Sequence, residues 1–346
     1  MLRSGVAALV CALLFAARPV PLDSAQNGGA FDRLYASYAA GDYAVIQRTL
    51  RTREDFNEIR PELFSAVGRW KGSWQRRPVV FLLDLSTLAL SRDWLTPMDP
   101  LMAARDLVKG RPTEPGANAE DDLFEATFHK AAVAVLLAGS FPDAADAYLD
   151  TLRDRVIPER LPTSKARLVE PRLSLQRAMA MEIRTRPILQ TGSPTRRLES
   201  ALALYETAAR LPANTAEARV RRAYIHLRLE HPGEALAELG RLPAGADADV
   251  TYWSDLVRGR AEDMRGNTDG ALAAYRAAAA AQPDAQSSAA ALSALLIRAG
   301  QPDEALQWAD RALRAPGATI DPWWRYWAAD RRLITSWLTD LRRMSQ

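Results

Sequence analysis

Few side chains in these 346 residues stand at spacings that could do chemistry. Histidine is the informative residue, because it ligates metals and moves protons near neutral pH, and there are three. His226 and Glu230 lie one helical turn apart on a common face, with His231 next in sequence. A tetrahedral site needs more ligands than these, no further histidine or cysteine is near, and His231 precedes Pro232 at a turn. No metal is expected. His129 follows Glu125 by four residues, with Glu120, Asp121 and Asp122 just upstream. Such a cluster could serve acid–base work on a glycan if two carboxylates converged. The acids also have a plainer use: Asn118 is a good N-cap, and acids in a first turn meet the positive end of the helix dipole. No Gly-x-Ser-x-Gly, His-Glu-x-x-His, phosphate-binding loop or dinucleotide fingerprint occurs. Neither a catalytic residue nor a cofactor is therefore expected.

The elements that carry these residues repeat. Gly266, Ala271, Ala278 and Pro283 reappear 34 residues later as Gly300, Ala305, Ala312 and the Pro316-Gly317 pair. That period suits a helix-turn-helix unit, in which small residues let two helices cross closely and proline stops the second. Ala235 lies 36 residues before Ala271, and Ala201 lies 34 before Ala235, with Tyr205, Ala208 and Pro212 near their expected places. The unit that contains Ala201 draws its first helix from about residues 171 to 184, and residues 185–197 read as a loop insertion.

With Gly259 as the small residue of a first helix and Ala271, Tyr275 and Ala278 in the second, this chain resembles the tetratricopeptide repeat family. It departs from that pattern at Asp255, Arg258 and Glu262, where the family has tryptophan, leucine and tyrosine. Thirty-four residues on, Ala289, Leu292 and Leu296 restore an apolar stripe. The resemblance implies an all-α fold, a right-handed α-solenoid of stacked helical hairpins. It also implies ligands held against a concave face built from the first helices. By repeat position the candidates are Val220, Tyr224 and Arg228, then Trp253, Leu256 and Arg260, then Arg298 with Ala290 and Ala294. The carboxylate clamp of one family subgroup, made of lysines and asparagines, is absent, since Val220, Tyr224, Leu256 and Arg260 occupy its places.

The pattern extends upstream. Phe128, Ala132 and Val135 precede a turn at Gly139-Ser140-Phe141-Pro142-Asp143, followed by Ala144 and Tyr148. Gly41-Asp42-Tyr43 reads as another turn after a helix from Phe31 to Ala39, and segments from Pro61 to Trp70 and Pro78 to Leu90 read as a further hairpin. At the other end, Asp321-Pro322 is an N-cap with proline at the first helical position. The helix it opens carries Trp323, Trp327, Ile334, Leu338 and Leu341 on one face and is expected to cap the last repeat. Packing is the expected use of these aromatics rather than carbohydrate binding.

The first 17 residues carry Arg3 and then an uninterrupted apolar run from Val6 to Ala17. That run is too short to span a bilayer, which takes about 20 residues, and reads as a secretory signal. Cys11, the only cysteine, follows Val10 within the run, where a lipoprotein would have a small residue. The organisation expected is a signal at 1–25, a degenerate hairpin region at 26–160, a repeat array at 161–318 and a C-terminal capping helix at 319–346. Of the 45 basic residues all but Lys71, Lys109, Lys130 and Lys165 are arginine. Eleven fall between Arg153 and Arg197 against Asp154, Glu159, Glu170 and Glu182, a patch that an acidic partner could use. The export signal and the lack of a recognised motif argue against nucleic acid.

These features together point to an exported bacterial scaffold, periplasmic or extracellular, that binds a protein or peptide partner. An uncleaved N-terminal anchor is the alternative for localisation. A helical cell-wall glycan enzyme and a structural subunit of an envelope assembly are the alternatives for function. If residues 6–17 are a signal core, Leu13→Arg interrupts it, and fractionation should find the variant retained in the cytoplasm. Undiminished export of that variant would remove the basis for an envelope location.

Overall fold

Side-chain caps from Thr52, Asp247, Asn267 and Asp321 open four of the described helices, and proline at a first helical position opens others. The computed structural model describes residues 29–72, 74–92, 98–111, 119–156, 163–185, 194–315 and 321–346. The expected signal, Asn118, residues 186–193 of the insertion and the Pro316-Gly317 pair lie outside them. Among the described residues there are 17 α-helices and no strand, and the chain divides into two compact units, broken near Pro112.

The first unit holds α1 (Ala30–Ala39), α2 (Val45–Thr49), α3 (Arg53–Trp70), α4 (Arg76–Ser91) and α5 (Met98–Lys109). Its core is aromatic at one end, with Phe31, Tyr35 and Tyr38 all meeting the ring of Phe81. Helix α3 begins at Arg53, two turns ahead of the start expected at Pro61. Thr52 and Asp55 form a capping box there, so the strong start signal lies upstream and Pro61 is carried within the helix.

The second unit holds α6 (Ala119–Ala138), α7 (Pro142–Thr151), α8 (Thr163–Ile183), α9 (Pro194–Ala209), α10 (Thr215–Arg228), α11 (Pro232–Leu239), α12 (Ala248–Met264) and α13 (Thr268–Ala281). It continues with α14 (Gln286–Arg298), α15 (Pro302–Arg314), α16 (Pro322–Trp327) and α17 (Arg331–Met344). Consecutive helices pack on one another as hairpins, α12 on α13 and α14 on α15 among them. The residues spaced for close crossing are interior: Ala271 and Ala278, and 34 residues on Ala305 and Ala312, are buried. At Gly259 a Cβ would fall inside the ring of Tyr275, so only glycine lets α12 and α13 approach this closely. Ala289, Leu292 and Leu296 are buried together, as their stripe implied.

One turn recurs. After the first helix of a pair comes a left-handed residue, and the next N–H donates back five residues: Gln301 to Leu296, Asn267 to Glu262, His231 to His226, Phe141 to Leu136 and Asp42 to Ser37. This is the Schellman closure, which satisfies the last carbonyls of a helix. Glycine supplies the left-handed residue at Gly41, Gly266 and Gly300, but Ser140 and Glu230 take it at φ 60° and 64°.

The C-terminal region departs from the expected single capping helix. Ala329, at φ 50°, breaks it between α16 and α17. Helix α16 packs on α12, and α17 packs on α6, at the start of this unit rather than on the last repeat. The apolar face made of Ile334, Leu338 and Leu341 is buried as its spacing implied, but against another partner.

Two substitutions probe the crossing and the turn. Gly259→Leu should lower stability by about 1 to 3 kcal/mol through overpacking against Tyr275. Glu230→Gly relieves a left-handed non-glycine residue and should raise it by a few tenths to about 1 kcal/mol. Denaturant midpoints moving in these opposite directions are the expected result, and an unchanged midpoint for Gly259→Leu contradicts the crossing geometry.

Candidate functional site

The face that carries most of the candidate binding residues is covered by the chain's own C-terminal segment. Val220 and Trp253 are fully buried and Leu256 is nearly so. The Trp253 indole N–H donates to the carbonyl of Pro322 at 2.6 Å, and its ring meets Tyr326 edge-on. Asp321 caps α16 through the backbone N–H of Trp323 and also accepts from the N–H of Ser287, at 2.8 and 2.6 Å. Arg325 pairs with Asp249 of α12 at 2.6 Å. Tyr224 lies half-buried among Trp323, Tyr326 and Trp327 in edge-to-face contacts.

Beneath α16 lies a buried charge cluster that spacing along the sequence does not reveal. Arg221, on α10, is 2% exposed. It donates to Glu217 on its own helix at 3.0 Å, to Glu182 of α8 at 3.4 Å and to the carbonyl of Tyr326 at 3.3 Å, with its guanidinium over the Tyr326 ring. Glu182 also accepts from the hydroxyls of Tyr205 and Tyr326, each at 2.6 Å. Alongside, Arg172 grips Asp330 with two of its nitrogens and reaches Glu217 at 3.2 Å. Gln176 adds a bond to Asp330 at 2.7 Å. Burial opposes the charge of both arginines, and it is outweighed by Asp330 and Glu217 at Arg172 and by Tyr205, Glu217, Tyr326 and Glu182 at Arg221, which hold them protonated, above their usual range. Burial pushes the Tyr205 and Tyr326 hydroxyls well up, and the adjacent Glu182 adds to it. The one hint in the sequence is the four-residue spacing of Glu217 and Arg221.

The remaining candidates go elsewhere. Arg228 donates to the hydroxyl and carbonyl of Thr185, at 2.6 and 3.1 Å, and so ties the end of α10 to the end of α8. Arg260 and Arg298 stay open, their side chains 60% and 54% exposed, and both turn to Asp263, at 3.4 and 2.6 Å. Two cations thus share one acid at an exposed edge. The arginine-rich segment is different: Arg177 and Arg184 pair with Asp143, Asp146 and Asp150 of α7. A count of acids within the segment omits these, because they come from the preceding helix.

The two sets of residues able to do chemistry take separate places. His129 and Glu125 are buried in α6, with His129 Nδ1 2.8 Å from the Tyr148 hydroxyl and Nε2 3.5 Å from Glu125. Asp122 is buried and Glu120 exposed, so the acids do not present one open pair. His226 is half-buried, with desolvation lowering its pKa, and its ring centroid is 6.3 Å from that of His231. Among the described residues no group of three or more potential ligands is placed to hold a metal ion. No helix among them is long and apolar enough to cross a membrane. Neither the models of known protein families nor the curated proteins match this chain.

Tyrosine burial has a consequence for pH. Tyr224 and Tyr275 are pushed up to about 12 by burial, and Tyr205, Tyr252 and Tyr326 are also raised. An unfolded tyrosine ionises near 10. The unfolded state therefore loses protons first, so this contribution to stability is intact below about pH 10 and is lost as pH rises beyond it. Ultraviolet absorbance of tyrosinate should rise together with loss of the helical circular-dichroism signal. Ionisation of most tyrosines in a still-helical protein would contradict the burial.

Proposed function

We propose that this chain is an exported bacterial repeat protein of the tetratricopeptide type, acting as a non-catalytic scaffold for a protein or peptide partner. What supports the repeat assignment is the 34-residue register carried by Gly266 and Gly300, Ala271 and Ala305, and Ala278 and Ala312, with the same turn closing successive hairpins. The stacking expected of that family is a right-handed solenoid.

The observation that carries the binding reading is the meeting of Arg260 and Arg298 at Asp263. They come from helices in successive units, lie open, and leave one positive charge in excess at the edge of the face that α16 covers. An acidic segment of a partner fits that excess, and long-range attraction of this kind speeds and orients association. The buried acids offer the glycan-enzyme reading no comparable support, since Glu182, Glu217 and Asp330 are engaged by arginine and tyrosine within the fold.

Exposed ion pairs of this sort contribute about 0 to 1 kcal/mol, so replacing both arginines should leave the fold intact. Immobilised Arg260→Ala/Arg298→Ala protein should fail to retain the envelope partner that wild type retains, with melting temperature nearly unchanged. Retention by wild type should also weaken with added salt. If the double variant binds normally, while Glu120→Ala removes function in a stably folded protein, the scaffold reading fails.

A further inference from the structure

Only four of the 45 basic residues are lysine, and Lys130 is the one that is half-buried among those described, Lys71 and Lys109 being exposed. The difference matters chemically, because an arginine stays protonated in a protein while a lysine can give up its proton and attack. Lys130 stands on α6 between α8 and α17, which both pack on that helix. Gln176 of α8 donates to its backbone carbonyl at 3.0 Å, and its ammonium lies over the Trp337 ring of α17, 5.7 Å from the centroid. Among the described residues no oxygen accepts a hydrogen bond from that ammonium, which still reaches solvent. Of the helices packed on α6, α8 brings Arg172 near Lys130 and α17 brings Asp340, whereas the acids of α7 face Arg177 and Arg184. Burial and the like charge of Arg172 lower the lysine's pKa, against Asp340, which is itself held by Arg343 at 3.0 Å.

We propose that Lys130 is a covalent binding site for aldehydes, with Trp337 favouring those that carry a flat aromatic group. The unprotonated Nζ attacks the carbonyl carbon and forms the N–C bond. The two hydrogens of the neutral amine then leave with the carbonyl oxygen as water, so an imine results with no oxidant or reductant. Nζ lies close enough to the indole for an aryl group on the imine carbon to meet the ring, a contact that a short aliphatic aldehyde cannot make. The site draws on α6, α8 and α17 and shares no residue with the edge at Arg260 and Arg298.

The test treats the full chain, after export processing, with benzaldehyde and cyanoborohydride near neutral pH and maps benzylated lysines by mass spectrometry. Lys130 should be labelled about tenfold faster than Lys71, since each unit of lowered pKa raises the neutral fraction about tenfold. Its rate should reach half-maximum below about pH 10.4, the midpoint of an unperturbed lysine. Unfolding the chain should abolish the preference. Lys130→Arg should lose this label and keep the helical circular-dichroism signal. Propanal should prefer Lys130 less than benzaldehyde does, and Trp337→Leu should bring the two aldehydes level. Trp337→Phe keeps a ring and should retain the difference, which separates lost stacking from lost fold. Labelling of Lys130 no faster than Lys71, or a midpoint at or above about 10.4, overturns the binding site. A benzaldehyde preference that survives Trp337→Leu overturns the selectivity.

Discussion

Arg221 sits where water cannot reach it, and the arrangement of the second unit is organised around meeting its charge. Withdrawing such an ion from water costs several kcal/mol, and the cost is offset only when good geometry and further hydrogen bonds satisfy its neighbours too. Here Glu182 and Glu217 supply the counter-charge, Tyr205 shares Oε2 of Glu182 with Arg221 while Tyr326 takes Oε1, and a backbone carbonyl takes another guanidinium N–H. Arg172 and Asp330 extend the same cluster. The partners come from separate stretches of chain, so α8, α9, α10 and the C-terminal segment must be docked in one register for the charges to be met. Removing a single member would leave the rest buried and unmatched, at a cost of about 3 to 5 kcal/mol.

The position of α16 follows from that requirement. Tyr326 serves both as a hydroxyl donor and as the ring and carbonyl that receive Arg221, and Trp253 reaches Pro322 at the start of the same helix. The consequence for function is direct. A face made from Val220, Trp253 and Leu256 is the core beneath an intramolecular segment, and what lies open beside it is the arginine edge at Arg260 and Arg298. The buried indole is a packing anchor whose N–H has found its acceptor within the chain.

Repetition explains both the regularity of the hairpins and their unfinished end. The same six-to-one backbone bond closes turns throughout, and it holds even where Ser140 and Glu230 must adopt a left-handed conformation that suits glycine. The closure thus outweighs the residue's own preference. Helix α13 buries Leu272 and Ala279 under α14, whereas on α15 the residues 34 positions on, Leu306 and Leu313, are exposed.

Many of the helices, their turns and the points of closest crossing were legible in the order of residues alone, whereas the helix at Met98–Lys109 was not, and those at Arg53–Trp70 and Thr163–Ile183 begin about two turns ahead of their expected starts. What was legible rests on local properties: apolar spacing near 3.6 residues, a proline or capping residue at a boundary, glycine where Tyr275 leaves no room at residue 259. The apolar face of the last helix, Ile334, Leu338 and Leu341, was legible in the same way. Which surface that face would meet was not, nor that α16 would separate from α17 at Ala329, nor that the arginines near residue 177 would find acids on α7. Spacing along a helix reports which residues share a side, but not which of several apolar sides will close on it. The partners of Arg221 and Arg172 are scattered along the chain, up to 158 residues from Arg172 to Asp330. Their match depends on the folded distances between charges, and those exist only once the helices are assembled.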